Sequence, residues 1–445
     1  HWLADRGISK GDRVAFMLEP SRAFYVSLFG ALKCGAIGVP LFTLFGPDGL
    51  KLRLEDCAPS LLIANSEKFD IAQEAFPNGR VILDKDMFEI IKDYPSQYVP
   101  ATSAADLAIF QYTSGTTREL PAAVKHTHRA LVVLMSAALY GTGIRPGEEF
   151  FCPSSPAWGH GLWHGTLAPL ALGVTTGSFA GKFDAKELLA ALSAFGIANL
   201  SAAATHYRMI KNSNIAEEYS YKIKKLSYTG EPIDGDTLQY IQSLFGCPVC
   251  SMYGTTEIGV ILVNYPGAAD FKVKDGSLGK PVPGIRVEIH NPDGSISAPN
   301  SKGQIMLLRK GEWIPTKDLG WADEEGYFYH AGRADDVIIS AGWTMSAVEI
   351  EQTLLSHPDV QEAAVIGVPD QLRGHIVKAF LVAKGRHDEK QIEELQIFAK
   401  SRLSQHEFPR KIEFVDTLIK TPAGKINRKA LRDREAKKMS EGLTS

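Results

Sequence analysis

The sequence predicts an α/β protein in which a large N-terminal domain of helix-covered, mainly parallel sheets precedes a small α+β C-terminal domain. Three observations carry this. A length of 445 residues exceeds what one compact core serves, so two or three domains are expected. Through the first three quarters, short apolar runs alternate with stretches of helical spacing, the mark of parallel strands covered by helices. In the last quarter the rhythm changes to that of a separate α+β unit of about a hundred residues.

The chain opens in a helix-like segment, Trp2-Leu-Ala-Asp-Arg6, and because His1 is not a start methionine, residues are expected upstream. Asp12-Arg-Val-Ala-Phe-Met-Leu18 reads as a strand, Ser21 to Lys33 as a helix, and Ala36-Ile-Gly-Val-Pro-Leu41 as a strand again. Ser60-Leu-Leu-Ile-Ala64 and Leu107-Ala-Ile-Phe-Gln111 continue the series. Pro77-Asn78-Gly79 is a turn, and Pro292-Asp293-Gly294 marks a hairpin. Near the end, Val337-Ile-Ile339 is a strand, Ala347 to Leu355 a helix, and Ala363-Ala-Val-Ile366 and Val377-Lys-Ala-Phe-Leu-Val382 are strands. Glu389 to Leu403 is an amphipathic helix and Lys411-Ile-Glu-Phe-Val415 a further strand. The boundary falls near Gly332-Arg-Ala-Asp335, giving domains 1–334 and 335–445. The basic tail from Asn427 to Lys438 reads as a solvated helix and then a frayed end.

With 44% hydrophobic and 22% charged residues, the chain has enough apolar matter for a large core. A formal net charge of -3 gives no electrostatic reason to expect nucleic acid or an acidic membrane as partner. The most apolar helical stretch, Ala130 to Tyr140, is too short to span a bilayer. Five cysteines, an odd and sparse set, fit a reducing cytosol, so a cytoplasmic location is expected. Cys247-Pro-Val-Cys250 has CxxC spacing, but no second CxxC or His pair accompanies it. Thiols acting as small buried hydrophobes are favoured there over metal or redox work.

Four segments carry candidate chemistry. Tyr112-Thr-Ser-Gly-Thr-Thr117 follows a strand and precedes a helix-like run. Small hydroxyl residues around a glycine let backbone N–H groups and hydroxyls surround a phosphate, although the common GxxxxGK[ST] loop is absent. Ser251-Met-Tyr-Gly-Thr-Thr-Glu257 offers a ring to stack on a base, hydroxyls for phosphate and a carboxylate for Mg²⁺. Thr316-Lys-Asp318, followed by Gly332-Arg333-Ala-Asp335-Asp336, offers an acceptor carboxylate for ribose hydroxyls. Lys425 closes the Pro/Gly turn in Thr421-Pro-Ala-Gly-Lys-Ile-Asn427. Taken singly, each also reads blandly, as a turn, a buried tyrosine, a solvated acidic turn and a surface lysine.

In this order, the four segments resemble the adenylate-forming superfamily of acyl- and aryl-CoA synthetases, firefly-type luciferases and peptide-synthetase adenylation domains. The resemblance runs from about Asp12 to Arg432, and Gly230-Glu-Pro232 and Gly279-Lys-Pro-Val-Pro-Gly284 fit it as well. It implies an ATP-dependent carboxylic acid:CoA ligase using ATP, Mg²⁺ and CoA. Thr113, Ser114, Gly115, Thr116 and Thr117 would close over the β- and γ-phosphates. Gly230, Glu231 and Pro232 would line the adenine, Tyr253 would stack on it, and Gly254 and Thr255 would border the nucleotide. Thr256 would touch the α-phosphate and Glu257 would hold Mg²⁺. Asp318 would bind the ribose hydroxyls with help from Arg333. Asp335 matches a hinge about which the small domain turns, and Lys425 matches the lysine that enters the site for adenylation.

Several positions depart from the family. The phosphate loop usually reads T-S-G-T-T-G-x-P-K-G, but here Arg118 replaces the second glycine, one residue is inserted, and Ala122 stands where the lysine is usual. Arg118 or Lys125 is expected to supply the missing charge. Lys317 replaces the glycine before the ribose aspartate, Thr344 stands where many CoA ligases carry arginine, and Ser346 where a glycine is common. The acyl pocket is expected among Trp158-Gly-His160, Ala202-Ala203-Ala204, Tyr228-Thr229 and Met252-Gly254. Acetyl-CoA synthetases place a tryptophan where Gly254 stands, so an acid larger than acetate is implied: aryl, alicyclic or short-to-medium acyl. Two other readings stay open at this point: an adenylating enzyme that loads a carrier-protein thiol, and a nucleotide-binding regulatory homologue that has lost turnover.

Overall fold

A computed structural model describes residues 1–112, 123–255, 257–333, 337–340, 343–370, 374–403, 408–421 and 424–440. They fall into two compact units, His1–Gly230 with Ile241–Val273, and Glu231–Tyr240 with Lys274–Ser445.

The first unit holds two helix-covered sheets. One runs in the order β4-β3-β1-β2-β5-β6, with β1 Arg13–Met17, β2 Ile37–Pro40, β3 Leu61–Ala64, β4 Val81–Leu83, β5 Leu107–Gln111 and β6 Val124–Thr127. β1 to β5 pair in parallel, and only β6 is antiparallel. Central parallel strands are covered on both faces, so they read as unbroken apolar runs; Val14 to Met17 are all 0% exposed. The helix Arg22–Cys34 starts where Ser21 Oγ accepts from the Phe24 N–H at 3.2 Å and stops at Gly35, whose φ of 84° only glycine adopts cheaply. Its buried face, Ala23, Phe24, Leu28 and Ala31, joins Val14 and Phe16 in one core. Burying each large side chain there stabilises the unit by about 1.5–3 kcal/mol.

The second sheet runs through β12-β11-β10-β9-β7-β8: β7 Phe150–Phe151, β8 Thr176–Gly177, β9 Asn199–Ala203, β10 Lys225–Thr229, β11 Val249–Thr255 and β12 Gly259–Val263. All of these neighbours are parallel except β11 and β12. All five cysteines are among the described residues and none is in a disulfide. Cys250 is 1% exposed on β11, and burial pushes the Cys247 thiol up to about 11, as inert packing thiols require.

Among the described residues, a strand that the sequence did not mark, β6, lies antiparallel beside β5 before the helix Arg129–Ala137. Val124-Lys-His-Thr127 is too short and too polar to show a strand period.

The second unit begins with a four-stranded antiparallel sheet of Arg286–His290, Gly303–Arg309, Glu312–Ala322 and Phe328–Arg333. The Pro292 turn exists, since the Asn291 N–H donates to the Ser295 carbonyl at 2.8 Å. It returns only the single bridge His290–Ile296, and the paired strand starts at Gly303 after a further turn. Beyond it, Val360–Asp370, Gly374–Ala383 and Lys411–Phe414 form a three-stranded sheet. The period-two alternation of a strand divides its residues between two cores. Ala363 and Val365 pack with Ile350, Leu354 and Leu395, whereas Ala364 and Ile366 pack with Phe380 and Leu418.

Leu431, 1% exposed, belongs to that second core. The helix Arg428–Ser440 is therefore not solvated all round, as its charge had implied; it covers the second face of the sheet. Lys378 anchors it, with Nζ 2.7 Å from both Glu435 and Glu413. A single leucine among so many charges left no helical stripe to read. Among the described residues, no helix is long and apolar enough to cross a membrane.

Candidate active site

In the first unit, β12 turns back beside β11, with Tyr253 opposite Leu262, Gly254 opposite Val260 and Thr255 opposite Gly259. The register shifts between Tyr253 and Gly254, a bulge of the kind that re-aims side chains. A Cβ on Gly254 would lie 2.0 Å from the Gly259 carbonyl oxygen, so only glycine allows the two strands to close. Glu257 is exposed in the turn, and Tyr253 and Thr255 are half-buried. The Glu257 carboxylate acts on His126 of β6: burial pushes that imidazole down to about 4, against the opposing pull of the carboxylate.

The segment Trp158 to His164 packs against both sheets. His160, 5% exposed, uses both ring nitrogens, Nδ1 at 2.9 Å from Ser154 Oγ and Nε2 at 2.8 Å from Ser201 Oγ. Ser227 Oγ donates onward to Ser201 at 2.7 Å, so the imidazole ties helix to sheet. Its own conjugate acid is suppressed by burial and by the neighbouring histidines. Trp158 is half-buried and meets His160 edge-on at 5.5 Å. Ala203, at the end of β9, donates its N–H to His206 Nδ1 at 3.3 Å. Gln111 and Trp163 were not singled out in the sequence. Trp163 Nε1 donates to Gln111 Oε1 at 2.9 Å, and the His126 ring lies 4.8 Å from the indole. A glutamine ending the apolar run Leu107-Ala-Ile-Phe-Gln111 was the available signal. Lys125, exposed and opposite Phe110, stands 5.1 Å over that ring on β6.

In the second unit, Asp318 is 5% exposed within the strand Glu312–Ala322, opposite the backbone of Arg333. Its N–H donates to Thr316 Oγ1 at 3.1 Å, and His330 Nε2 lies 3.8 Å from Oδ1. Lys317 before it has φ 66°, the left-handed region where a glycine would be at ease. Glu231 is half-buried and Pro232 exposed, and Asp234 next to them accepts from the Thr237 N–H at 2.8 Å to start the helix Gly235–Phe245. Gly230 follows β10 and ends the longer segment of the first unit, which resumes at Ile241.

Lys425 sits on a narrow hairpin. The Thr421 N–H donates to the Lys425 carbonyl at 2.7 Å, the Lys425 N–H to Thr421 Oγ1 at 3.3 Å, and Lys420 bridges Ile426. Just beyond, Arg428 Nε donates to Glu351 Oε1 at 2.9 Å and its Nη2 to Oε2. The same carboxylate accepts from the Val365 N–H at 2.7 Å. Thr113 to Thr117, Arg118, Thr256 and Asp335 lie outside the described residues, as do the side chains of Arg333, Thr344 and Ser346.

Comparison with known proteins adds an independent finding. The profile of the AMP-binding enzyme family matches residues 1–311, and that of the AMP-binding enzyme C-terminal domain matches residues 349–425. The chain is 31% identical, over 97% of its length and 87% of the relative, to an uncharacterized acyl–CoA ligase, YtcI, of Bacillus subtilis. It is 31% identical to 4-hydroxybutyrate–CoA ligase 1 of Metallosphaera sedula, covering 99% of this chain and 83% of that one. Among solved structures, an anthranilate CoA ligase, AuaEII, in complex with anthranoyl-AMP superposes with a TM-score of 0.90 at 26% identity, covering 99% and 90% of the two chains.

Proposed function

Because the chain belongs to the AMP-binding enzyme family, we propose that it is an ATP-dependent carboxylic acid:CoA ligase. The observation that carries this reading is similarity to acyl–CoA ligases along nearly the whole chain, 97% of it for the Bacillus relative. The acyl-CoA synthetases of this family use ATP, Mg²⁺ and CoA.

In the first half-reaction the acid's carboxylate attacks the α-phosphorus of ATP, pyrophosphate leaves and acyl-AMP forms. Tyr253 stacks on the adenine beside Gly230, Glu231 and Pro232, and Asp318 accepts from the ribose hydroxyls with Arg333 assisting. Thr113, Ser114, Gly115, Thr116 and Thr117 surround the outer phosphates, with Arg118 or Lys125 supplying the charge absent at Ala122. Thr256 meets the α-phosphate, and the Lys425 ammonium offsets the charge that builds on the phosphoryl oxygens. Glu257 is the carboxylate suited to Mg²⁺. Among the described residues, no group of three or more His, Cys, Asp or Glu side chains could hold a metal. An ion carried on nucleotide phosphates takes one or two protein carboxylates and would supply charge neutralisation when bound.

In the second half-reaction the CoA sulfur attacks the acyl carbonyl and AMP leaves. Lys425 must withdraw for this, so domain 335–445 turns about Asp335 against domain 1–334. The acid is larger than acetate, with Trp158, His160, Ala203 and Gly254 bordering its pocket; the glycine at 254 supports this size. A cytoplasmic site of action is supported by the odd and sparse set of five cysteines.

Pyrophosphate release with a mixed acid panel, with and without CoA, tests the reading. CoA-dependent acyl-CoA formation from acids larger than acetate is expected. Turnover of acetate and propionate alone would refute the pocket size. Pyrophosphate release without any acyl-CoA product would shift the acceptor to a carrier thiol. Nucleotide binding without pyrophosphate release would mark a regulatory homologue.

A further inference from the structure

We propose that Gln111 and His126, with His164 next to Trp163 in the chain, line a polar recess that receives a hydroxyl group on the acid. This deepens the acid:CoA ligase reading and rests on it.

Among the described residues, the buried polar atoms of the first unit without a hydrogen-bond partner include Gln111 Nε2, His126 Nε2 and His164 Nδ1. Gln111 is 1% and His164 3% exposed. Two of the three side chains, Gln111 and His126, meet one indole. Trp163 holds the other end of the Gln111 amide at 2.9 Å, lies 4.8 Å from His126 and precedes His164 in the chain. The recess adjoins the expected acyl pocket. The His164 ring is 6.3 Å from His160, and a Cβ on Gly159 would lie 3.4 Å from Gln111 Nε2. Gly159 thus leaves the amide open toward the Trp158–His160 segment.

An unpaired buried polar group costs about 1–3 kcal/mol, and native folds rarely leave such groups unmatched. Two on one indole point to a ligand group that completes them. The amide nitrogen only donates, whereas a neutral imidazole nitrogen donates or accepts according to its tautomer. A hydroxyl satisfies both kinds of partner, accepting from Gln111 and donating to an imidazole. A second carboxylate fits poorly: burial pushes both His126 and His164 down to about 4, so neither carries a balancing charge at neutral pH. Glu257 adds a negative field at His126.

The test measures kcat/KM for CoA ligation in matched pairs: butyrate and 4-hydroxybutyrate, benzoate and each monohydroxybenzoate, with succinate as the dicarboxylate. At least one hydroxy acid should exceed its parent by about tenfold or more, and succinate should be poor, because a site that hydrogen-bonds a hydroxyl discriminates against its absence. Gln111→Met and His126→Phe should each pull that ratio to within about threefold of unity. Thermal melting reports whether each variant folds, and either one suffices. The inference is overturned if parent acids turn over as fast as every hydroxy partner. It is equally overturned if the preference survives in the folded variants, which would leave the recess to buried water. Failure of every acid to release pyrophosphate would instead remove the ligase reading beneath it.

Discussion

Lys317 holds a backbone conformation that a side chain resists, with φ at 66°. A non-glycine residue there costs on the order of 1 kcal/mol, partly offset by the greater freedom that a glycine has when unfolded. Lys317→Gly should therefore stabilise the second unit by about 0.5–1 kcal/mol, read as a higher thermal midpoint; a lower midpoint would mean that the lysine side chain contributes more than its conformation loses. The need for a glycine-like backbone before Asp318 was visible only as a departure from a family pattern, and its physical cause emerged with the φ angle. Gln111 shows the opposite case. Its neighbours in sequence are apolar, and its importance arises from Trp163, 52 positions away, a distance no local pattern reaches.

At the scale of elements, the β11–β12 hairpin is the most constrained piece of the candidate site. Gly254→Ala would drive its Cβ into the Gly259 carbonyl at 2.0 Å. Opening the turn should cost about 1–3 kcal/mol of stability and displace Glu257, so kcat should fall more than thermal stability alone explains. An Ala variant with unchanged kcat and melting would show that the hairpin yields freely. In the phosphate loop, Arg118→Ala should raise the KM for ATP, measured by pyrophosphate release; an unchanged or lower KM would leave Lys125 as the source of the charge. The central strands were readable because parallel strands buried on both faces are plain apolar runs, as Leu61–Ala64 and Leu107–Gln111 are. β6 and the covering role of the helix Arg428–Ser440 were not. One is four residues of mixed polarity, and the other buries little besides Leu431 and Glu435.

At the scale of the molecule, the proposed two-step cycle separates the half-reactions. Lys425→Ala should slow acyl-AMP formation by about a hundredfold, roughly 3 kcal/mol, yet spare thioester formation from supplied acyl-AMP. Equal loss of both would count against a turning domain. The buried histidines make a second global prediction. His126 and His164 are held near 4 in the folded first unit, against 6.5 for an ordinary histidine. Between those values the unfolded chain binds the extra protons. Stability is therefore full above about pH 6.5 and falls as pH drops toward 4, by up to about 1.4 kcal/mol per pH unit for each proton. Urea midpoints across that range should decline, less steeply in His164→Phe; a flat profile would contradict the neutral assignment.

The clasp between Arg428 and Glu351 has a consequence for aim. Glu351 belongs to the helix Ala347–Leu355 and also grips the Val365 amide, so the chain just past Lys425 is bolted to the sheet of its own domain. On the proposed role of Lys425, the segment that follows it is then seated like a bit in a chuck rather than a tip on a tether. Where it points is inherited from the orientation of the whole domain, and a misplacement of about 1 Å can lose a hundredfold in rate.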